Sequence, residues 1–218
     1  MGTLTYEVLL AAHIAVLGYW LGADLCINSE YRFITHRADL AFEARDAMTD
    51  HLMDVDQHVR YALVLQVMLG MMLAAELGFV DDRLFWLIPA IAALWIALIE
   101  TAHRKRKSAM GSKLARLDRA IRYLVAVLLG AAAIGLFFQL PDWLRLKLGL
   151  FALLIGCGVV IRFMLMQHDR DWSHMRSEGP SPQYEARILA TYRRATSVLL
   201  LLWLCVGGIV VLAVFKPF

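Results

Sequence analysis

The sequence has few cysteines and few charged residues for its length. Only three of its 218 residues are cysteine and 19% are charged, whereas a soluble domain has about 25% charged residues. Cys26, Cys157 and Cys205 lie far apart in apolar stretches. This spacing excludes a disulfide framework and a zinc motif, and we expect three small core residues. The shortage of charge excludes a secreted globule and a nucleic-acid-binding domain, since both need a polar surface.

Apolar residues make up 60% of the chain and gather in long runs. A helix needs about 20 apolar residues to cross a bilayer core of about 30 Å. Six runs reach this length: residues 4–27, 60–80, 84–103, 121–140, 144–166 and 196–215. No Lys or Arg precedes the first run, so we interpret it as a retained span rather than a signal peptide. The sequence therefore predicts an all-α fold, a bundle of six transmembrane helices forming one integral-membrane domain over residues 1–218.

The basic residues favour one side of this predicted bundle. Of the 22 Lys and Arg residues, 18 lie in or beside the connections 28–59, 104–120 and 167–195. Because positive residues stay on the cytoplasmic side, we expect these connections inside and both termini outside a bacterial inner membrane. The opposite turns, at 81–83 and 141–142, are short enough to require antiparallel packing of the helices they join.

Two of the cytoplasmic connections have a predicted structure of their own. Residues 28–59 contain no Pro or Gly and mix apolar with charged residues at helical spacing. This pattern is typical of an amphipathic helix that leads into the second span. In the connection 167–195, the sequence Gly179-Pro180-Ser181-Pro182 must break any helix.

Two ionisable residues lie within the predicted outer leaflet. His13 is in the first run and Lys147 is near the start of the fifth. A polar side chain in hydrocarbon needs a partner or a ligand. A backbone carbonyl could satisfy a neutral His13, and Lys147 could extend to the interface. Because the two share a leaflet, they could also face one pocket or one cofactor.

The surroundings of both residues resemble a known membrane family. His13, Trp20 and Gly22 resemble the H-x6-W-x-G pattern in the first span of copper-resistance D-type proteins and of the related membrane haem-b protoporphyrinogen oxidases. The segment 143–148 resembles the start of their lysine-bearing span, and residues 214–218 resemble the C-terminus of the oxidases.

This resemblance implies a cofactor and also has limits. In the oxidases, the matching histidine and lysine are associated with haem b, so the resemblance implies haem b at His13 and Lys147. Two features depart from the family. Ala23-Asp24 stands where the oxidases carry a Pro-Arg pair, and the third and fourth spans are additional.

A second group of polar residues lies at the predicted cytoplasmic boundary. Its members are histidines and carboxylates at helical spacings, including the Glu-x-x-His spacing found in di-iron and di-manganese bundles. The candidate metal ligands are Asp24, His51, Asp54, His58, Glu100, His103, His168, Asp171 and His174. Mixed imidazole and carboxylate donors suit iron, manganese or zinc. The alternative is that these are interfacial residues, solvated or paired with nearby arginines.

Three functions follow from these patterns. The first is an integral-membrane metal- or haem-dependent oxidoreductase that acts on a lipid-soluble or amphipathic substrate. Its electrons would pass to a quinone or a redox partner protein, because the sequence has no flavin or nicotinamide fingerprint. The alternatives are a copper-handling transporter and a non-catalytic anchor for a redox partner. The expected partner is the lipid bilayer, and no nucleic-acid partner is expected. The sequence leaves open whether the chain forms a homo-oligomer.

The charge asymmetry yields a topological prediction. We expect alkaline phosphatase fused after Phe218 to be active, because both termini are predicted outside and this reporter folds only outside the cytoplasm. The matched control is a fusion after Lys107, within the run Arg104–Lys107, which should be inactive. The reverse pattern would contradict the predicted orientation.

Overall fold

The chain folds into α-helices joined by short turns. In the computed structural model, which describes residues 3–136 and 139–215, no strand occurs among the described residues. The described residues contain one 3₁₀ turn, at Asp82–Leu84, and six α-helices. In chain order the helices are α1 Thr3–His36, α2 Phe42–Glu76, α3 Leu87–Arg104, α4 Ala109–Ala133, α5 Asp142–Glu178 and α6 Pro182–Phe215. The predicted all-α class is confirmed.

Five of the helices, α1, α2, α3, α5 and α6, are long and apolar enough to cross a membrane. The chain is therefore an integral membrane protein whose helices contact the lipid bilayer. The remaining helix, α4, ends at Ala133, before the end of the predicted run 121–140. Gly135 has a φ of 78°, and its amide donates to the carbonyl of Ala132. Glycine adopts this left-handed conformation without a Cβ penalty and so ends the helix early.

The structure departs in part from the prediction for the connection 28–59 and agrees with the prediction for the connection 167–195. Helix α1 continues to His36, so residues 28–36 extend the first helix instead of starting a separate one. From Phe42 the chain is helical into the second predicted span, which confirms the lead-in helix, but α2 ends at Glu76, before the predicted end at residue 80. Between α5 and α6, Gly179 has a φ of 90° and α6 begins at Pro182, as the Gly-Pro sequence predicted.

The described chain forms two compact units. The first comprises Met1–Glu30 and Thr49–Ala120. Its core is an apolar cluster of one α1 residue, three α2 residues and one residue after the 3₁₀ turn: Leu9, Leu69, Met72, Ala75 and Phe85. The second comprises Tyr31–Met48 and Ile121–Phe218. The single domain expected from the sequence stays a prediction.

In the second unit, α5 and α6 pack antiparallel along their length. A Cβ at Gly208 would lie 3.0 Å from Leu150 Cδ1, while Arg187 Nη1 lies 3.7 Å from Asp171 Oδ1 near the other end. Cys157 and Cys205 are buried as expected. The prediction of a core position for Cys26 is wrong, because its side chain is exposed on α1. Lys216–Phe218, part of the C-terminal resemblance, lie outside the described residues.

The start of α4 packs closely on the preceding turn, and this contact gives a prediction. A Cβ at Gly111 would overlap the backbone carbonyl of Lys105, which cannot move aside as a side chain can. We expect Gly111→Ala to lower the free energy of unfolding by about 1–3 kcal/mol. The measurement is the thermal unfolding midpoint in detergent.

The matched control is Gly130→Ala, in the interior of the same helix. No atom lies within 4 Å of a Cβ at Gly130, so alanine should leave the midpoint unchanged or raise it. Equal midpoints for both variants would contradict the predicted overlap.

A buried polar cluster as candidate functional site

His13, one of the two predicted haem residues, faces α2 within the first unit. Its Nε2 lies 3.1 Å from Nε2 of Gln66, and its Cε1 would lie 3.6 Å from a Cβ at Gly70. The imidazole therefore has a side-chain partner on α2. This differs from the backbone carbonyl considered from the sequence.

Lys147, the other predicted haem residue, is half-buried near the start of α5 in the second unit. His13 lies in the first unit and Lys147 in the second. The binding of haem b at His13 and Lys147 stays a prediction.

Two of the predicted metal ligands in the first unit contact each other. Asp54 Oδ1 lies 3.2 Å from His103 Nε2 and accepts a 3.0 Å hydrogen bond from Arg106 Nη1. Arg106 Nη1 also lies 3.0 Å from His103 Nε2. The guanidinium thus occupies the position beside the imidazole and carboxylate where a cation would bind.

The other first-unit candidates have different neighbours. Glu100 accepts hydrogen bonds from the Tyr61 hydroxyl and the Arg104 guanidinium. The Tyr19 hydroxyl lies 2.6 Å from His58 Nδ1. His51 is exposed and Asp24 is half-buried. The exposed His51 and the Arg104 contact of Glu100 agree with the alternative of solvated or arginine-paired interfacial residues, whereas the tyrosine contacts of Glu100 and His58 were not predicted.

The three second-unit candidates divide by burial. His174 is exposed, lies 3.3 Å from Glu178 and stacks on Tyr184. His168 and Asp171 are buried, with exposed fractions of 3% and 6%. Within residues 3–136 and 139–215, no three His, Cys, Asp or Glu side chains are close enough to hold a metal ion. Iron, manganese or zinc at this boundary stays a prediction.

His168 lies at the centre of what we call the buried polar cluster, six side chains of the second unit: Tyr31, Arg45, His168, Asp171, Trp172 and Glu185. The Tyr31 ring meets the imidazole edge-on, with centroids 4.9 Å apart. The Trp172 ring stacks on the imidazole at 5.3 Å and an interplanar angle of 25°. Aromatic faces, rather than hydrogen bonds, thus hold the imidazole in place.

Several polar atoms of this cluster have no hydrogen-bond partner. Among the described residues, neither ring nitrogen of His168, nor the Tyr31 hydroxyl, nor Asp171 Oδ2 is hydrogen bonded. Burial of such groups costs free energy, so unpartnered buried polar atoms in a native protein need an explanation, and a catalytic role is one of those available. Asp171 follows His168 by one helical turn on the same face of α5.

Arg45 anchors the cluster and is only 1% exposed. Its Nη1 and Nη2 donate to Glu185 Oε1 and Oε2 at 2.6 and 2.9 Å, and its Nε donates to the Ile34 carbonyl at 3.0 Å. The guanidinium carbon lies 5.2 Å from the centre of the Trp172 ring. This bidentate pair fixes both partners in one geometry.

The far side of Trp172 is also held. Its Nε1 donates to Asp46 Oδ1 at 2.7 Å, and Arg176 Nε donates to the same oxygen at 2.6 Å. The indole therefore has one allowed orientation, with one face toward His168. His168 is positioned in turn by a ring that cannot rotate freely.

Sequence analysis identified His168 and Asp171 but not the other four members of the cluster. Arg45 and Glu185 are 140 residues apart, and no local pattern joins them. The His168-x3-Trp172 spacing is a usable signal, because residues one helical turn apart can stack.

Comparison of the chain with family models, curated proteins and solved structures gave no match in any of the three. The resemblance described above therefore stays a prediction, and the function is argued from the site itself.

The Arg45–Glu185 pair gives a stability prediction. We expect Arg45→Met to cost about 3–5 kcal/mol, because it leaves the Glu185 carboxylate without its buried partner. The matched control is Arg37→Gln, which breaks an exposed ion pair with Asp39 and should leave the midpoint nearly unchanged. Thermal unfolding midpoints in one detergent measure both, and equal shifts would contradict the assigned role of Arg45.

Proposed function

We propose that this chain is an integral-membrane oxidoreductase that exchanges protons with a lipid-soluble, quinone-type substrate, and that His168 accepts the proton. The observation that carries the proposal is the imidazole of His168, 3% exposed and with neither ring nitrogen hydrogen bonded to a described residue. Burial favours the neutral imidazole, which has one nitrogen free to accept a proton.

The chemistry of a quinol requires such a base. Oxidation breaks both hydroxyl O–H bonds, so the protons must leave as the electrons pass to an acceptor such as a redox partner protein. A proton cannot enter hydrocarbon as a free charge, so a protein side chain must take it. His168 takes the two protons one after the other, because it accepts the second only after the first has passed on to Asp171. Positioned general bases of this kind contribute about 10²–10⁴-fold in rate.

Asp171 provides the next step for the proton. Its Oδ2 is not hydrogen bonded to a described residue, and it lies one turn from His168 toward the end of α5. Its Oδ1 is 3.7 Å from Arg187, a side chain 47% exposed. The order His168, Asp171, surface therefore leads from the buried imidazole to solvent.

Tyr31, Trp172 and Arg45 act as positioning residues. Tyr31 and Trp172 hold two sides of the imidazole, and Arg45 lies over the indole. Within the described residues, no three His, Cys, Asp or Glu side chains are close enough to hold a metal ion, and the proposed proton transfer uses side chains of the chain alone. Haem b, iron, manganese and zinc remain sequence-based proposals, which an absorption spectrum and metal analysis of the purified protein test.

Quinol oxidation tests the proposal directly. We expect the purified protein in detergent to oxidise decylubiquinol with ferricyanide as the electron acceptor, faster than a protein-free control. His168→Ala should reduce kcat by about 10²–10⁴-fold, because the proton acceptor is lost. The matched control, His174→Ala, should retain activity, because His174 is an exposed histidine on the same helix.

The outcomes separate the competing functions. Equal activity of His168→Ala and His174→Ala would remove His168 from the mechanism. No oxidation above the protein-free rate would overturn the oxidoreductase. Copper uptake by vesicles containing the protein would then favour the transporter, and its absence the anchor.

A further inference from the structure

A groove of about 350 Å³ lies between α5 and α6 in the second unit. Four residues of α5 and two of α6 line it: Val160, Phe163, Met164, Gln167, Thr191 and Arg194. None of these residues belongs to the buried polar cluster. An inference from the groove therefore stands independently of the proposed oxidoreductase.

The groove is apolar at one end and polar at the other. Because α5 and α6 run antiparallel, Gln167 and Thr191 come level at the end nearer the loop that joins these helices. Val160 and Phe163 lie farther into the apolar part of α5. Arg194 directly precedes the apolar run of α6. The groove thus crosses the boundary between hydrocarbon and the headgroup region.

Arg194 differs from several other arginines of the second unit. Arg45, Arg176 and Arg187 each pair with a carboxylate. Arg194 is exposed and makes no hydrogen bond or ion pair with any residue in the described part of the chain. An unpaired guanidinium can bind a phosphate group through two parallel hydrogen bonds.

We infer that this groove binds an anionic phospholipid of the bilayer. One acyl chain lies along Val160, Phe163 and Met164, and the phosphate lies at Arg194 beside the polar groups of Gln167 and Thr191. The charge of Arg194 selects an anion, and the depth of the groove selects a molecule with a chain in hydrocarbon and a phosphate at the boundary. The bilayer itself presents such lipids there.

Native mass spectrometry of the detergent-purified full chain tests the inference. The probes are phosphatidylglycerol, phosphatidylcholine with the same chains, palmitate, and inorganic phosphate. We expect phosphatidylglycerol to bind most tightly. Arg194→Gln should weaken its binding by about tenfold, the usual effect of losing a charge-assisted hydrogen bond.

The matched control is Arg193→Gln, which removes the same charge from the neighbouring residue, outside the groove lining. It should bind phosphatidylglycerol like the unchanged protein. A second variant, Val160→Trp, fills the apolar end and should weaken phosphatidylglycerol binding while Arg194 is intact. This variant keeps the inference testable if Arg194→Gln fails to fold.

Four results would overturn the inference. Equal binding of phosphatidylglycerol and phosphatidylcholine would show that the site does not select an anion. Tighter binding of palmitate or inorganic phosphate would identify a different ligand. Equal losses in Arg193→Gln and Arg194→Gln would indicate unspecific attraction, and unchanged binding in Val160→Trp would place the chain elsewhere.

Discussion

The second unit depends on how one buried charge is accommodated. Arg45 is 1% exposed, and an isolated guanidinium in such a place would be very costly. The carboxylate of Glu185 and the carbonyl of Ile34 accept its hydrogen bonds, and the ring of Trp172 covers its face. These partners come from α6, α1 and α5, so solvating this one cation fixes the ends of four helices within the unit.

This constraint explains how His168 is held in place without hydrogen bonds to its ring nitrogens. Hydrogen bonds usually hold a buried histidine, and they occupy the nitrogens that could otherwise react. Here two ring contacts do the positioning, and the ion pair of Arg45 stabilises one of those rings. The imidazole nitrogens are left without partners among the described residues, which is the arrangement that a proton acceptor needs.

The groove and the buried polar cluster use the same turns of α5 and α6. Gln167 and Thr191 line the groove, while the residues that follow them, His168 and Tyr192, belong to the aromatic contacts around Tyr31. Successive helical residues point about 100° apart, so one residue of a turn can line the groove while the next contacts the aromatic rings. The groove and the aromatic contacts are therefore placed at the same level of the unit.

The sequence by itself determined the helices, because long apolar runs have one stable form in hydrocarbon and glycine or proline marks their ends. It extended the fourth run to residue 140, whereas α4 ends at Ala133 because Gly135 adopts a left-handed backbone conformation. It also predicted that the candidate ligands lie at one membrane depth. Side chains at one depth need not be neighbours, because they can lie on different helices or on different faces of one helix. His168 and His174 share α5, yet the first is buried and the second exposed. Only the tertiary structure decided which side chains meet, because partners such as Arg45 and Glu185, 140 residues apart, are joined by packing and by no local pattern.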